Sequence, residues 1–214
     1  QPGVLSWKID GLTIVLTYRD GQLVKAVTRG NGEIGEVVTA NAKVFCNLPM
    51  EIPFKGELVL RGEACIRYSD FEKINETIED ADSKYKNPRN LCSGSVRQLN
   101  TEITAQRNVN FYAFTLVSAE DMQWQLRSQQ LAWLAEQGFQ VVEHRFVDRS
   151  TVADGVKWFA ENIESNDVPS DGLVLILDDI AYGASLGSTS KFPRDAIAFK
   201  WMDEIRETVL KEIE

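Results

Sequence analysis

Trp7-Lys8-Ile9-Asp10-Gly11 places one lysine between an apolar run that favours a strand and an acidic turn. Residues 12–18 are rich in β-branched and aromatic side chains, which predicts a second strand directly after the turn. Asp20-Gly21 predicts a tight turn, and residues 23–28 then form the returning strand of a hairpin. A lysine beside a turn is most often an ordinary surface residue, so this motif needs support from the rest of the chain.

The composition is typical of a globular chain. It has 214 residues, of which 43% are apolar, enough to build the core of one sizeable domain. No apolar run reaches membrane-spanning length and no charged-then-apolar leader begins the sequence, so we expect a cytoplasmic protein without membrane contact. Three widely spaced cysteines are expected to be reduced, and a single histidine argues against zinc binding or histidine-based acid–base catalysis.

The formal net charge of -9 opposes nucleic-acid binding by bulk electrostatics, so any contact with a polyanion must be local. Two segments offer such contacts. Residues 28–36 surround Arg29 with three glycines, which favours either a flexible loop or one that presents the arginine to a phosphate. Residues 87–99 predict a helix with Arg89 and Arg97 on one face; the small residues between them suit a phosphate backbone or tight helix packing.

Strand and helix signals alternate with hairpins along the chain, which predicts an α+β fold. The continuous apolar run at 171–177 predicts a strand buried on both faces. Phe111 and Ala113 should point to the opposite side of their strand from Tyr112 and Phe114. Further strands are predicted at 57–66, 111–117, 139–142 and 196–201, and helices at 37–45, 68–77, 125–137 and 151–163.

Taken together, these motifs resemble those of the nucleotidyltransferase (adenylation) domain of NAD-dependent DNA ligases, from Lys8 to the C-terminus. Residues 87–99 resemble the segment that separates NAD-using ligases from their ATP-using relatives. Five further motifs follow the family order: Lys8-Ile9-Asp10-Gly11 (nucleotidyl-lysine motif), residues 28–32 (Thr-Arg-Gly-Asp-Gly in the family), Arg61-Gly62-Glu63 (ribose-binding glutamate), Asp171-Gly172, and Ala198-Phe199-Lys200.

The resemblance implies a nucleotidyltransferase core of two antiparallel sheets flanked by helices, an ATP-grasp-like DNA ligase adenylation fold with the nucleotide between the sheets. It implies that residues 1–214 are one adenylation domain of a longer, monomeric ligase. The N-terminal part that binds nicotinamide mononucleotide and the C-terminal DNA-binding domains are expected to lie outside this sequence.

The resemblance also implies a reaction. Lys8 attacks the α-phosphorus of NAD to form lysyl-AMP, AMP passes to the 5′-phosphate of nicked double-stranded DNA, and the 3′-hydroxyl displaces it. Magnesium is the implied cofactor, without assigned metal ligands. The implied roles are catalysis for Lys8 and Asp10, nucleotide binding for Glu63, Phe114, Lys200, Arg29 and Asp171, and binding of DNA or other phosphates for Arg89, Arg97 and Lys191.

Four positions depart from the family pattern: Ser6 and Val37 replace residues that are commonly acidic, Asn31 replaces the loop aspartate, and Ile176 replaces a lysine. The family's lysine at position 176 is expected to face the α-phosphate. Either the pocket has lost that phosphate contact, or Lys191 supplies the charge instead. Two alternative functions therefore stay open: an ATP-using ligase or capping-type nucleotidyltransferase, and a catalytically impaired nucleotide- or DNA-binding module.

Overall fold

Eight strands form two antiparallel sheets in the computed structural model, which describes residues 1–30, 34–189 and 192–201. The strands are β1 (Gly3–Ile9), β2 (Leu12–Arg19), β3 (Gln22–Thr28), β4 (Leu58–Cys65), β5 (Asn110–Ala119), β6 (His144–Val147), β7 (Ser170–Leu177) and β8 (Ala196–Lys200). We call the sheet with strand order β6-β1-β7-β8 the lysine sheet, and the sheet with order β3-β2-β4-β5 the glutamate sheet. The predicted fold class is confirmed.

Helices flank both sheets: α1 (Thr39–Ala42), α2 (Tyr68–Glu76), α3 (Pro88–Val96), α4 (Thr101–Gln106), α5 (Arg127–Glu136), α6 (Val152–Glu161) and α7 (Ile180–Ser185), with a 3-10 turn at Ala81–Ser83. The start of α3 follows from its sequence, because the Asn87 side chain accepts a hydrogen bond from the Asn90 backbone and Pro88 occupies the first turn. None of the helices in the described ranges has the length and apolar composition needed to cross a membrane.

The hairpin after the lysine motif forms as predicted, with β2 and β3 paired antiparallel. Asp20 and Gly21 both have positive φ, at 50° and 78°, which suits the tight connections that match the twist of paired strands. Gly21 has no Cβ to strain this conformation, and an added Cβ would lie 2.6 Å from the Ile52 carbonyl oxygen.

Each sheet has its own core. Ile14, Leu60 and Phe111 belong to the buried cluster of the glutamate sheet. Trp7 and Phe159 belong to the cluster of the lysine sheet, where α6 packs on β1 and the two rings meet edge to face at 4.7 Å. A cleft remains between the two sheets, so residues on facing strands can reach a common ligand.

Two predicted elements were wrong in extent. Residues 139–142 form no strand beyond a single bridge from Val141 to Ala113; Phe139 and Val142 are buried, but the strand that pairs with β1 is His144–Val147. The helix predicted at 37–45 is one turn, Thr39–Ala42, because Val37 instead bridges to Val27 on β3. Apolar patterning indicated burial at both places without specifying the hydrogen-bond partners.

Two further expectations were wrong. β7 is not buried on both faces: Gly172 and Leu173 are buried, whereas Val174 and Ile176 are partly exposed and line the cleft. The helix predicted at 87–99 ends at Val96, and a separate helix, α4, follows it. The run is continuously apolar because one side of the strand faces the core and the other side lines the cleft.

Candidate active site

A cleft of about 460 Å³ opens between the two sheets. Its volume is within the range of about 300–1,000 Å³ that is usual for small-molecule sites. Six of the ten residues proposed from the sequence line it: Lys8, Asp10, Arg29, Glu63, Arg89 and Phe114. The fold therefore gathers residues from both sheets and from the loops between them into one concave site.

Lys8 lies on β1 directly opposite Gly172 on β7, and this register brings its amine to the neighbouring Asp171. Lys8 Nζ donates to both carboxylate oxygens of Asp171, at 2.8 and 3.1 Å. Lys200 Nζ lies 3.4 Å from the same carboxylate. Burial acts to raise the pKa of Asp171, but the hydrogen bonds and charges of Lys8 and Lys200 outweigh it and hold that pKa below its ordinary value. The amine must leave this carboxylate before it can attack an electrophile.

The glycines of both motifs are required by close backbone contacts. A Cβ on Gly11 would lie 2.0 Å from the Ala64 carbonyl oxygen, and a Cβ on Gly172 would lie 1.9 Å from the Phe199 carbonyl oxygen. Both distances are far inside van der Waals contact, so any side chain would force the strands apart. Gly11 thereby keeps the β1–β2 connection against β4, and Gly172 keeps β7 against β8.

Glu63 lies on β4, and its side chain is anchored beside the lysine motif. Its carboxylate accepts hydrogen bonds from the Gly11 backbone, at 3.2 Å, and from Thr13 Oγ1, at 2.8 Å. Burial raises the pKa of Glu63 from 4.5 to about 7, against the opposing effects of these two hydrogen bonds and of the Lys8 and Arg89 charges. Each oxygen keeps a further lone pair, so the carboxylate can still accept from ligand hydroxyl groups.

The two arginines expected on one helix face have different partners. Arg89 lines the cleft and donates to Asp10 Oδ1 at 3.1 Å, whereas Arg97 binds Glu36 and Ser93 and does not line the cleft. Of the remaining predicted positions, Lys191 and Asn31 lie outside the described residues. The cleft therefore contains one arginine of this pair, together with Arg29.

Position 176 lies far along the sheet from the lysine. Lys8 is opposite Gly172 and Val4 is opposite Ile176, so four residues of strand separate the two pairs. At about 3.4 Å per residue this is about 14 Å. Such a separation does not support the expectation that position 176 faces a phosphate held at Lys8. Ser6, the second replaced position, lies between them and also lines the cleft.

Arg127 and Gln130 on α5 line the cleft but were not singled out from the sequence, because α5 was interpreted only as an amphipathic helix. One signal was present. Arg127 is the first residue of α5, where the helix macrodipole disfavours a cation, so a specific partner for it could have been sought.

The carboxylates of the cleft suit a hard cation that is shared with a ligand. Asp10 and Glu63 line the cleft, and within the described ranges no three His, Cys, Asp or Glu side chains cluster as a metal site. Magnesium usually binds through one or two carboxylates together with substrate phosphates and water. Asp10 and Glu63 therefore fit a magnesium ion that a nucleotide brings or shares.

A family model for the NAD-dependent DNA ligase adenylation domain matches residues 3–204. The chain belongs to this family. It is 66% identical over 215 residues to a DNA ligase of Lachnoclostridium phytofermentans and 64% identical to one of Ruminiclostridium cellulolyticum, covering 100% of this chain and 33% of each relative. The chain thus spans about a third of the length of the curated relatives it matches.

The fold of this ligase adenylation domain has a counterpart among solved structures. A mycobacterial DNA ligase D complexed with ATP and MES matches 93% of this chain and 54% of its own, with a TM-score of 0.50 and 16% sequence identity. At this identity the likeness supports the fold alone. Membership of the NAD-dependent family, in contrast, decides between the NAD-using and ATP-using families left open by the motifs.

Proposed function

We propose that this chain is the adenylation core of a DNA ligase that forms lysyl-AMP from NAD on Lys8 and, as part of the full-length enzyme, seals nicks in double-stranded DNA. The observation that carries the proposal is the position of the Lys8 amine, bound to Asp171 in a cleft that Glu63 and Phe114 also border. The surface residue Lys55 also pairs with a carboxylate, that of Glu51, but their side chains are 57% and 67% exposed, whereas those of Lys8 and Asp171 are only 30% and 27% exposed.

The first step transfers AMP to the lysine. Lys8 gives a proton to Asp171, separates from it and attacks the α-phosphorus of NAD as a neutral amine. Asp171, which accepts from Nζ at 2.8 Å, is the nearest acceptor for that proton. The bond from the α-phosphorus to the bridging oxygen breaks, and nicotinamide mononucleotide leaves with that oxygen. AMP is then passed to the 5′-phosphate of the nick, and the 3′-hydroxyl displaces it.

The remaining cleft residues bind and orient the nucleotide. Glu63 accepts hydrogen bonds from the ribose hydroxyls, and Phe114, which is 37% exposed beside the cleft, stacks on the base. Arg29 and Arg89 neutralise phosphate charge at the lysine end, and Lys200 assists through Asp171. Magnesium bound by Asp10, Glu63 and the phosphates would further stabilise charge that develops on the phosphates. Arg97 and Lys191 are assigned to DNA contacts.

The wider assignments rest on family membership. Residues 1–214 form the adenylation domain of a longer, monomeric, cytoplasmic enzyme, whose other domains bind nicotinamide mononucleotide and supply most of the grip on DNA. A net charge of -9 supports this division, because it opposes strong DNA binding by this chain alone.

The test is the incubation of the full-length protein with labelled NAD or ATP, followed by intact mass measurement. We expect NAD to add one AMP, and Lys8→Ala to abolish the addition because the amine is the nucleophile. Lys25→Ala, at an exposed position on β3, is the matched lysine control and should react at the parent's rate. Retained lysyl-AMP in Lys8→Ala would refute the assignment. A parent that no nucleotide modifies would favour the impaired binding module.

A further inference from the structure

The glutamate sheet has one packed face and one open face. Between Thr13 and Tyr18 on β2, and between Leu58 and Ala64 on β4, every second residue is buried in the core and the residues between them are partly or fully exposed. Because successive side chains of a strand point to opposite faces, the exposed residues share one face. We call this set the open face: Thr13, Val15, Thr17, Val59, Arg61 and Glu63.

The open face continues the cleft. Thr13 and Glu63 line the cleft and are paired in register, and the next pair along the same strands is Val15 with Arg61. Arg61 is therefore two residues from Glu63, about 7 Å along β4 at 3.4 Å per residue. On its other side Arg61 is paired with Thr115 of β5, which also lines the cleft. Arg61 thus borders the cleft from outside.

Arg61 has no carboxylate partner in the described part of the chain, and its side chain is exposed. Other exposed arginines are held by carboxylates, as Arg19 is by Glu57 and Arg97 is by Glu36. An anion that binds Arg19 or Arg97 has to displace such a partner. An anion that binds Arg61 does not.

The charge of the open face differs from that of the whole chain. The chain has 32 acidic and 23 basic residues, yet Glu63 is the single acidic residue among the six of the open face. Glu63 lies at the cleft end, where Gly11 and Thr13 donate to it. Arginine guanidinium groups and threonine hydroxyls, such as that of Thr115, are common donors to nucleic-acid phosphates. The composition of this surface therefore suits a phosphate backbone.

The position of the open face selects the partner. In the proposed reaction, AMP on Lys8 has to meet the 5′-phosphate of nicked DNA, so the duplex must lie against the mouth of the cleft. Successive phosphates of one DNA strand are about 3.4 Å apart along the helix axis. The distance of about 7 Å from Glu63 to Arg61 thus corresponds to about two nucleotides. A duplex that reaches Lys8 has further phosphates at the range of Arg61.

We propose that Arg61 binds a backbone phosphate of the DNA strand beside the nick and positions the duplex over the cleft. The inference rests on the proposed function. The guanidinium donates two parallel N–H bonds to the phosphate oxygens, in the geometry that arginine favours for such groups. The contact is to the backbone, so it is independent of base sequence. Arg61 forms no bond to the reacting atoms and acts as a positioning residue.

The test measures binding of the full-length protein to a fluorescent nicked duplex by anisotropy at salt concentrations between 50 and 200 mM. The probe has a 5′-hydroxyl at the nick and cannot accept AMP. We expect Arg61→Gln to weaken binding by roughly threefold to tenfold. The slope of log affinity against log salt should become shallower by about 0.9, the value for one lost phosphate contact. Arg61→Lys keeps the charge and should keep the parent's slope.

Arg149→Gln is the matched control. Arg149 is also exposed, but it lies in the turn between β6 and α6 and does not line the cleft, so its removal should leave affinity and slope unchanged. An Arg61→Gln protein with the parent's slope would overturn the inference, even if it were less stable to heat. Equal changes of slope in Arg61→Gln and Arg149→Gln would also overturn it, because the effect would then be one of net charge.

The outcome is separable from that of the ligase proposal, because the probe requires no chemistry. A parent that forms lysyl-AMP from NAD, but whose DNA binding does not depend on Arg61, would refute this inference alone. A parent that never forms lysyl-AMP, but loses one phosphate contact in Arg61→Gln, would support the DNA contact and refute the ligase assignment.

Discussion

Replacing Glu63 by Gln should change how stability depends on pH. Burial raises the pKa of this carboxyl from 4.5 to about 7, so in that interval the folded protein binds a proton that the unfolded chain has already lost. Unfolding then releases a proton, and the free energy of unfolding falls as pH rises. The stabilising contribution of the protonated group is complete below pH 4.5 and is lost by about pH 7.

Each pKa unit corresponds to about 1.36 kcal/mol, so the rise from 4.5 to about 7 amounts to on the order of 3 kcal/mol. A glutamine has the same shape and does not titrate. Its carbonyl oxygen can accept from the Gly11 backbone, and the Thr13 hydroxyl can turn to accept from its amide, so both contacts of Glu63 have a counterpart. Above pH 7 we therefore expect Glu63→Gln to gain stability relative to the parent.

The assay is urea unfolding of both proteins between pH 4.5 and 9. The stability of the parent minus that of Glu63→Gln should decrease by about 3 kcal/mol up to about pH 7 and then remain constant. Glu79→Gln, at an exposed site, controls for the loss of one negative charge. If parent and Glu63→Gln gave parallel stability curves over this range, the pKa of the buried carboxyl would not be raised and the reasoning would fail.

Three further outcomes are expected. Gly11→Ala should destabilise the fold by at least about 1–3 kcal/mol in urea unfolding, because the new Cβ would overlap the Ala64 carbonyl. The control is Gly94→Ala in α3, where the nearest atom to the new Cβ is 4.0 Å away; it should stabilise the fold by about 0.5–1 kcal/mol, and equal effects of the two changes would contradict the contact argument. Asp171→Asn should slow lysyl-AMP formation by roughly a hundredfold, since the Lys8 amine loses its proton acceptor; an unchanged rate in single-turnover mass measurements would exclude that role. The 214-residue chain alone should bind nicked duplex DNA weakly at physiological salt. Tight, salt-sensitive binding in an anisotropy titration would refute the proposal that other domains supply most of the DNA affinity.

Local patterns were enough to predict the parts of the site that are local in sequence. Strand alternation on β5 correctly placed Phe111 and Phe114 on opposite sides of the strand, since Phe111 is buried and Phe114 is 37% exposed. Motif order placed Glu63 and Asp171 in the same domain as Lys8. The inference for β5 succeeded because side-chain direction in a strand follows from its period of two.

Contacts between distant segments could not be predicted in this way. The Lys8–Asp171 pair joins residues 163 positions apart, and the Arg127–Asp195 pair joins residues 68 apart. The first pair depends on the register of β1 against β7, and the second depends on where α5 packs. Apolar patterning specifies neither of these. The strand misplaced at 139–142 has the same origin, because burial of Phe139 and Val142 does not reveal which backbone groups pair with β1.

The pairing of β1 with β6 and β7 has a consequence for the order of events during synthesis. The glutamate sheet needs no strand beyond Ala119, so it can pair fully while later residues are still being made. β1 precedes the other described strands but has no partner strand in the described chain before His144, and its second partner, β7, is complete only at Leu177. Closing so long a loop is slow compared with forming the local hairpins. Within this domain Lys8 is therefore made early, yet it meets Asp171 only after most of the cleft has been made.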